Sequence, residues 1–272
     1  MNKEQPDPQF LSAAIEALEH FPVDARDIRF VARSENVTFR VIVRDGDTDY
    51  VLRLHRPGYN SIEELNSERA WTRALQMAGL PVPASLSTRR GDHFHLVEIP
   101  GTGEQCYVGM TTWIEGVPLC DHLESVSERA ERKSIFNELG GIAAAIHNQS
   151  TDWNEPPGFD RRRLDVAALI GDNPFWGRFW EHSELSPGES QLLLRARSGI
   201  RDALMAYGEQ PGKFSLIHAD LNPENIIYDR GDLAMIDFDD SAHGWHVYDI
   251  AAALFECNFY PDFDAVREAM LD

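Results

Sequence analysis

The period of the apolar residues changes once along this chain, and that change limits the folds open to it. As far as about residue 115 the pattern is mostly that of strands. Residues 28–31, 38–43, 50–54, 93–99 and 105–114 read as extended runs, and Asp45-Gly46 within 44–47 supplies a hairpin turn. Only 10–21 and 62–77 break this pattern, with apolar groups at helical spacing. The first of these should end before Pro22, and the second before Gly79 and the prolines 81 and 83. Beyond Glu115-Gly116 the pattern turns helical over 126–148, 165–170, 175–182, 190–207 and finally 248–255. Just two short buried strands, 214–217 and 233–236, interrupt it, with a further apolar run at 226–228. A doubly wound α/β sheet would alternate strand and helix throughout. The reading is therefore α+β, with a strand-rich first lobe (1–115) and a mostly helical second lobe (116–272).

Composition supports a folded chain and narrows its partners. With 272 residues, 43% of them apolar, the chain has enough material for a sizeable core. Its 45 acidic and 25 basic residues give a formal net charge of −20. Such a chain repels nucleic acid and anionic lipid and attracts cations, magnesium included. Acidity also serves solubility alone, so charge by itself names no ligand. Cys106, Cys120 and Cys257 are odd in number and widely spaced, which gives neither a disulfide framework nor a zinc pattern. A reducing cytoplasm suits them. The polar N-terminus has no signal-peptide run, and no segment has the length and apolarity of a membrane span.

The chemistry concentrates in His218-Ala219-Asp220-Leu221-Asn222-Pro223-Glu224-Asn225, which follows one buried strand and precedes another apolar run. Twelve positions after Asn225 comes Asp237, within Ile236-Asp237-Phe238-Asp239. This is the spacing of a kinase catalytic loop and its metal-binding aspartate. Phosphoryl transfer explains the residue types. The transferred group carries negative charge that divalent cations neutralise, and hard cations prefer oxygen ligands, here the Asp237 carboxylate and the Asn225 amide oxygen. Asp220 would align the acceptor hydroxyl and take its proton. Asp and Asn are also common in turns, so a shorter match would read as hairpin punctuation. His, Asp, Leu, Asn, the following strand and the Asp-Phe pair here coincide.

On these residues the chain resembles the aminoglycoside phosphotransferase and choline kinase-like family, which has a protein-kinase-like two-lobed fold. The likeness runs from about Phe30 to Phe255. Leu139-Gly140-Gly141 with Ile146-His147 resembles the helix before the catalytic loop. Gly244 with Tyr248-Asp249-Ile250-Ala251 resembles a segment whose aspartate is structural. The resemblance implies ATP and Mg2+ as cofactors and a small-molecule hydroxyl as acceptor. It places Arg53 at the basic position of the third strand, where many relatives have Lys, and Glu68 on the inserted helix as its partner. It places the phosphate-covering loop at 34–39, without a Gly-x-Gly-x-x-Gly pattern, so that Ser34, Asn36 and backbone amides face phosphate. It places the inter-lobe hinge at 110–116, with Thr112, Trp113 and Ile114 facing adenine. The alternative at each is plain structure: Arg53 and Glu68 unrelated, 34–39 a simple hairpin turn, Trp113 a core residue.

The acceptor is not written in these motifs. Asp239, Asp240, Glu256 and Asp262 offer an acidic lining that suits a cationic acceptor such as an aminoglycoside, an amino alcohol or a homoserine-like molecule. Many family members continue with more helices beyond the point where this sequence stops, at Asp272. The expectation is a reduced acceptor wall, one completed by a partner, or a truncated chain. Two alternatives stay open: a nucleotide-binding or scaffold relative without turnover, and a protein Ser/Thr kinase of the same fold. Trp71, Trp176 and Trp180 read as packing residues, and His243 and His246 as a surface loop rather than a metal site.

Overall fold

Helix α1 (Pro8–Leu18) opens the computed structural model, which describes residues 7–46, 48–255 and 257–272. Pro8 occupies the first turn, where its missing N–H is harmless and its fixed φ suits a helix. The helix stops short of the expected residue 21. Glu19, His20 and Phe21 instead donate to the carbonyls of Glu16, Ala17 and Leu18, the i→i−3 bonds of a tightened last turn.

Strands β1 (Ala25–Arg33), β2 (Val37–Val43) and β3 (Tyr50–Leu54) form an antiparallel meander. The expected turn at 44–47 includes Asp47, which lies outside the described residues. Helix α2 (Ile62–Met77) has the expected span and both its ends are specified. Ser61 and Glu64 form a reciprocal capping box. At the other end Gly79 takes φ +83°, Leu80 N–H reaches Leu75 O and Gly79 N–H reaches Gln76 O, a Schellman motif. Strands β4 (Ser85–Leu86), β5 (Phe94–Ile99) and β6 (Glu104–Thr112) complete a six-stranded antiparallel sheet of order β1-β2-β3-β6-β4, with β5 also paired to β6. Phe39, Leu52, Val108 and Met110 of this sheet are buried with Ala13, Ala14 and Ala17 of α1.

Beyond β6 come β7 (Val117–Pro118), α3 (Leu119–Ser125), α4 (Arg129–Asp152), α5 (Val166–Ile170) and α6 (Pro187–Tyr207). They are followed by β8 (Phe214–Ile217), β9 (Ile226–Asp229), β10 (Asp232–Met235), β11 (Ala242–Trp245), α7 (His246–Phe255) and α8 (Phe263–Leu271). The α+β expectation holds. The chain forms two compact units, but a single cut after residue 115 does not separate them. The first comprises Met1–His122, Glu155–Asp160 and Ile226–Asp239, and the second comprises Leu123–Asn154, Arg161–Asn225 and Asp240–Asp272. Pairing explains the exchange: β7 joins β9 and β10 in a sheet of the first unit, while β8 and β11 pair within the second.

Two helical expectations need correction. Residues 175–182 hold only a 3₁₀ turn, Phe179–Glu181. Pro174 precedes the stretch, Gly177 takes φ +86°, and of its aromatics only Trp180 is buried, so no continuous buried face sustains a helix. The helix at 248–255 is not the last, since α8 follows it and buries Ala265, Val266, Ala269 and Met270.

Helix α8 packs on α4 at Gly140. A Cβ there would overlap the Met270 carbonyl oxygen, whereas one on neighbouring Gly141 would meet nothing within 4 Å. Gly140→Ala should lower stability by about 1–3 kcal/mol through overpacking. Gly141→Ala should raise it by up to about 1 kcal/mol through helix propensity. Urea denaturation of the two variants checks this, and equal shifts would contradict the packing.

Candidate active site

The chemistry-bearing residues of the first unit gather around β3. Arg53 projects from this strand and donates from Nη1 to Asp237 Oδ1 at 2.7 Å. Its opposite residue on β6 is Gly109. A side chain there would strike the Phe94 ring and approach the Arg69 guanidinium, so the glycine leaves room for both. Asp237 follows β10 in a left-handed conformation, φ +63°, which is uncommon outside glycine. The residues after it are fixed by burial. Phe238 meets Trp71 of α2 edge-on at 5.6 Å, and Asp239 is almost fully covered.

Glu68 of α2 is buried, but Arg53 is not its ion partner. Its Oε1 lies 3.4 Å from Arg69 Nη1, and Oε2 has no hydrogen-bond partner among the described residues. Glu68 reaches Arg53 through its field alone. Burial acts to lower the Arg53 pKa, yet the charges of Asp237, Asp239 and Glu68 outweigh it and hold the guanidinium above its ordinary range. At Arg69 burial prevails and the pKa falls.

The 34–36 loop joins β1 to β2. Ser34 is exposed at its tip, but Asn36 is buried. Asn36 Nδ2 donates to Asp239 Oδ2 at 3.0 Å, and its Oδ1 accepts from the Arg56 N–H at 2.9 Å. Glu35 forms an ion pair with Arg56. At the end of β6, the Thr112 N–H donates to Ala84 O and the Trp113 N–H to Asp49 O. The Trp113 ring lies under the Arg40 guanidinium at 4.3 Å. The two amides are thus engaged within the protein, and Ile114 follows, partly exposed.

In the second unit one carboxylate organises the loop after β8. Asp249 of α7 is fully buried and accepts from the His218 N–H at 3.0 Å, the Ala219 N–H at 2.8 Å and His147 Nε2 at 2.9 Å. Ala219 sits at φ +66°, a strain that these bonds hold in place. His147 stacks on His246, whose pKa is pushed down to about 4 by burial and by the neighbouring His147. His246 also bonds Ser215 Oγ at 2.8 Å, so it is a packed residue rather than a surface-loop one. No group of three or more His, Cys, Asp or Glu forms a metal site among the described residues.

The next residue, Asp220, has both carboxylate oxygens engaged by amides. Asn222 Nδ2 donates to Oδ1 at 2.8 Å and Asn225 Nδ2 to Oδ2 at 2.7 Å. Asn225 Nδ2 also reaches the Asp220 carbonyl at 3.0 Å. A carboxylate can only accept, so the Asn225 amide must turn its nitrogen to Asp220, which leaves its oxygen available as a hard ligand. Asn225 in the second unit and Asp237 in the first each offer a hard oxygen of the kind magnesium prefers. The 3₁₀ turn Pro223–Asn225 fixes this geometry, with Asn222 Oδ1 accepting from Glu224 N–H.

Tyr248 entered the sequence reading only as the neighbour of Asp249. Burial raises its phenol pKa, and the charges of Asp220, Asp240 and Asp249 add to the rise, against a hydrogen bond with Trp176 that lowers it. The signal was its place beside Asp249, but nothing in the spacing tied it to Asp220. The expected acidic lining is largely taken up. Asp239 is buried in the first unit, Asp240 lies 3.7 Å from Arg162, Asp262 lies 3.3 Å from Arg132, and Glu256 is outside the described residues.

Comparison with known proteins gives these features a family. The phosphotransferase enzyme family (APH) matches residues 27–272. Amicoumacin kinase of Bacillus subtilis (strain 168) is 22% identical over 247 residues, covering 90% of this chain and 68% of that protein. Homoserine kinase of Gluconobacter oxydans (strain 621H) is 26% identical over 240 residues, covering 85% and 67%. The chain thus spans about two thirds of the length of these curated relatives. Among solved structures, a microcompartment-associated aminopropanol kinase superposes with a TM-score of 0.80 at 30% identity, over 96% of this chain and 78% of the other. An amicoumacin kinase in complex with AMP-PNP, Ca2+ and amicoumacin superposes with a TM-score of 0.75 at 18% identity, over 98% and 76%, a likeness of fold. The α+β architecture is accordingly protein-kinase-like, and the chain belongs to the phosphotransferase enzyme family.

Proposed function

We propose that this protein transfers the γ-phosphoryl group of ATP to a hydroxyl of a small, amine-bearing molecule. The observation that carries the reading is Asp220, a carboxylate aligned by two asparagine amides on a loop anchored through Asp249. In this reading the first unit binds the nucleotide and the second the acceptor. Asp220 orients the hydroxyl and accepts its proton. Asp237 and Asn225 hold magnesium, which supplies charge neutralisation on the phosphates when bound. Arg53 supports the phosphates, with Glu68 biasing its charge, and Ser34 and the backbone of the 34–36 loop cover them. Thr112, Trp113 and Ile114 border the adenine.

The acceptor class rests on two supports. The matched relatives are kinases named for homoserine, aminopropanol and amicoumacin, two of which are plainly amino alcohols. The net charge of −20 favours a cation over nucleic acid or an anionic membrane. No helix among the described residues is long and apolar enough to cross a membrane, and the three cysteines are free, which suits a cytoplasmic enzyme.

Magnesium-dependent ADP release against aminopropanol, homoserine, ethanolamine, choline, aminoglycosides and a serine-containing protein tests this. An amino alcohol should stimulate release by the unmodified chain. Asp220→Ala should keep its melting temperature and lose about 10²–10⁴ in kcat. Stimulation by the protein substrate alone would make the chain a protein kinase, and undiminished turnover in Asp220→Ala would remove the assigned base.

The metal assignment has its own test. Asp237→Ala should abolish the magnesium dependence of nucleotide binding, measured by calorimetry with ADP in the presence and absence of Mg2+. Retained dependence would show that Asp237 is not the metal residue.

A further inference from the structure

Asp239 lies two residues beyond Asp237 and is only 6% exposed. Three N–H groups converge on its carboxylate. Asn36 Nδ2 donates to Oδ2 at 3.0 Å, while His55 Nδ1 at 3.2 Å and Asn60 Nδ2 at 3.1 Å meet Oδ1. Because the carboxylate only accepts, His55 must carry its proton on Nδ1. Asn60 Nδ2 also reaches the Asp239 carbonyl at 3.4 Å. Asn36, His55 and Asn60 are all less than a tenth exposed.

These donors come from three different places in the chain. Asn36 ends the loop between β1 and β2, His55 follows β3, and Asn60 precedes the capping residue of α2. Asn36 extends the link through its other end, where Oδ1 accepts from Arg56 N–H. The one carboxylate thus ties the 34–36 loop, the end of β3 and the start of α2 to the segment that bears Asp237. Each of its two oxygens thus accepts at least one N–H from the protein.

We propose that Asp239 and Asn36 form a latch: Asp239 is a positioning residue that holds the strained Asp237 and the 34–36 loop in one arrangement, ready for a magnesium-nucleotide complex. The inference rests on the phosphotransfer reading for its consequence, though not for its geometry. It moves the Asn36 side chain from the nucleotide to the protein and leaves Ser34 and the loop backbone as the groups facing phosphate. Asp239 acts through Asp237 and touches no substrate.

Asp239→Asn, Asn36→Ala and the double variant test the latch. In Asp239→Asn an amide N–H is set against N–H donors in a buried place. The half-saturating concentration of magnesium-nucleotide should rise about tenfold, the scale of a lost supporting contact behind a metal ligand. The KM for the acceptor should stay unchanged, which a general loss of structure would not allow. Asn36→Ala should raise the same quantity less, and the double variant should fall short of the product of the two. Fully multiplicative effects, or an unchanged magnesium-nucleotide requirement in both single variants, would overturn the proposal.

Amide exchange in the nucleotide-free protein reads the latch directly. The Arg56 N–H should exchange faster in Asp239→Asn, since its acceptor Asn36 is no longer held. Unchanged exchange there would overturn the latch even if the unmodified chain bound no nucleotide, a result that would sink the phosphotransfer reading instead. Should Asp239→Asn fail to fold, Asn36→Ala decides. A raised magnesium-nucleotide requirement with an unmoved acceptor KM supports the latch, and no rise refutes it.

Discussion

Removing a carboxylate from water is costly unless hydrogen bonds replace its hydration, and this fold uses that constraint twice. Asp249 is fully buried in the second unit and Asp239 almost so in the first. Each is surrounded by N–H donors drawn from separate parts of the chain: two backbone amides and His147 for Asp249, and Asn36, His55 and Asn60 for Asp239. The satisfied state is reached only when all those segments are in register. A buried charge of this kind therefore acts as a geometric specification more than as a source of net stability.

What is specified in each case is a backbone that would not hold itself. Ala219 and Asp237 both take left-handed φ values without being glycine. Ala219 is bonded directly by Asp249 and immediately precedes Asp220. Asp237 is flanked by the packed Phe238 ring and the bonded Asp239. The strain and its restraint lie next to the residues assigned to proton transfer and to the metal. A phosphotransferase gains from this arrangement because phosphoryl transfer asks little covalent chemistry of the protein and much positioning. Groups locked by supporting contacts lose no freedom at the moment of reaction.

The legible part of the sequence was the part governed by short-range rules. The span of α2 followed from its apolar spacing, Gly79 and the prolines beyond it, and β3 and β8 also fell where read. The motif of Asp220, Asn225 and Asp237 stood out because its spacing is local. Long-range pairing was not legible. Two-residue strands such as β4 and β7 exist only because a partner strand is present, and they carry no period of their own. The 175–182 stretch read as helical, but Gly177 takes φ +86° within it and Trp180 alone of its aromatics is buried, which composition cannot report. Asn36 shows the same limit in the candidate site. Its place in the loop was right, yet its amide faces a residue 203 positions away, which no local pattern encodes.

The charge arrangement around Arg53 follows from the same physics. Two guanidiniums, Arg53 and Arg69, share a buried region with the carboxylates of Glu68, Asp237 and Asp239. Asp239 accepts from Asn36, His55 and Asn60 and adds its field at Arg53. Glu68 leans on Arg69, which leaves Arg53 directed to Asp237. A guanidinium suits that position better than an ammonium, because its planar fork can bind one carboxylate and still present further N–H groups to a second oxyanion. On the proposed reading those remaining donors meet phosphate. On that reading the arginine neutralises Asp237 and keeps donors in hand, while Glu68 favours its positive charge from a distance without occupying the fork.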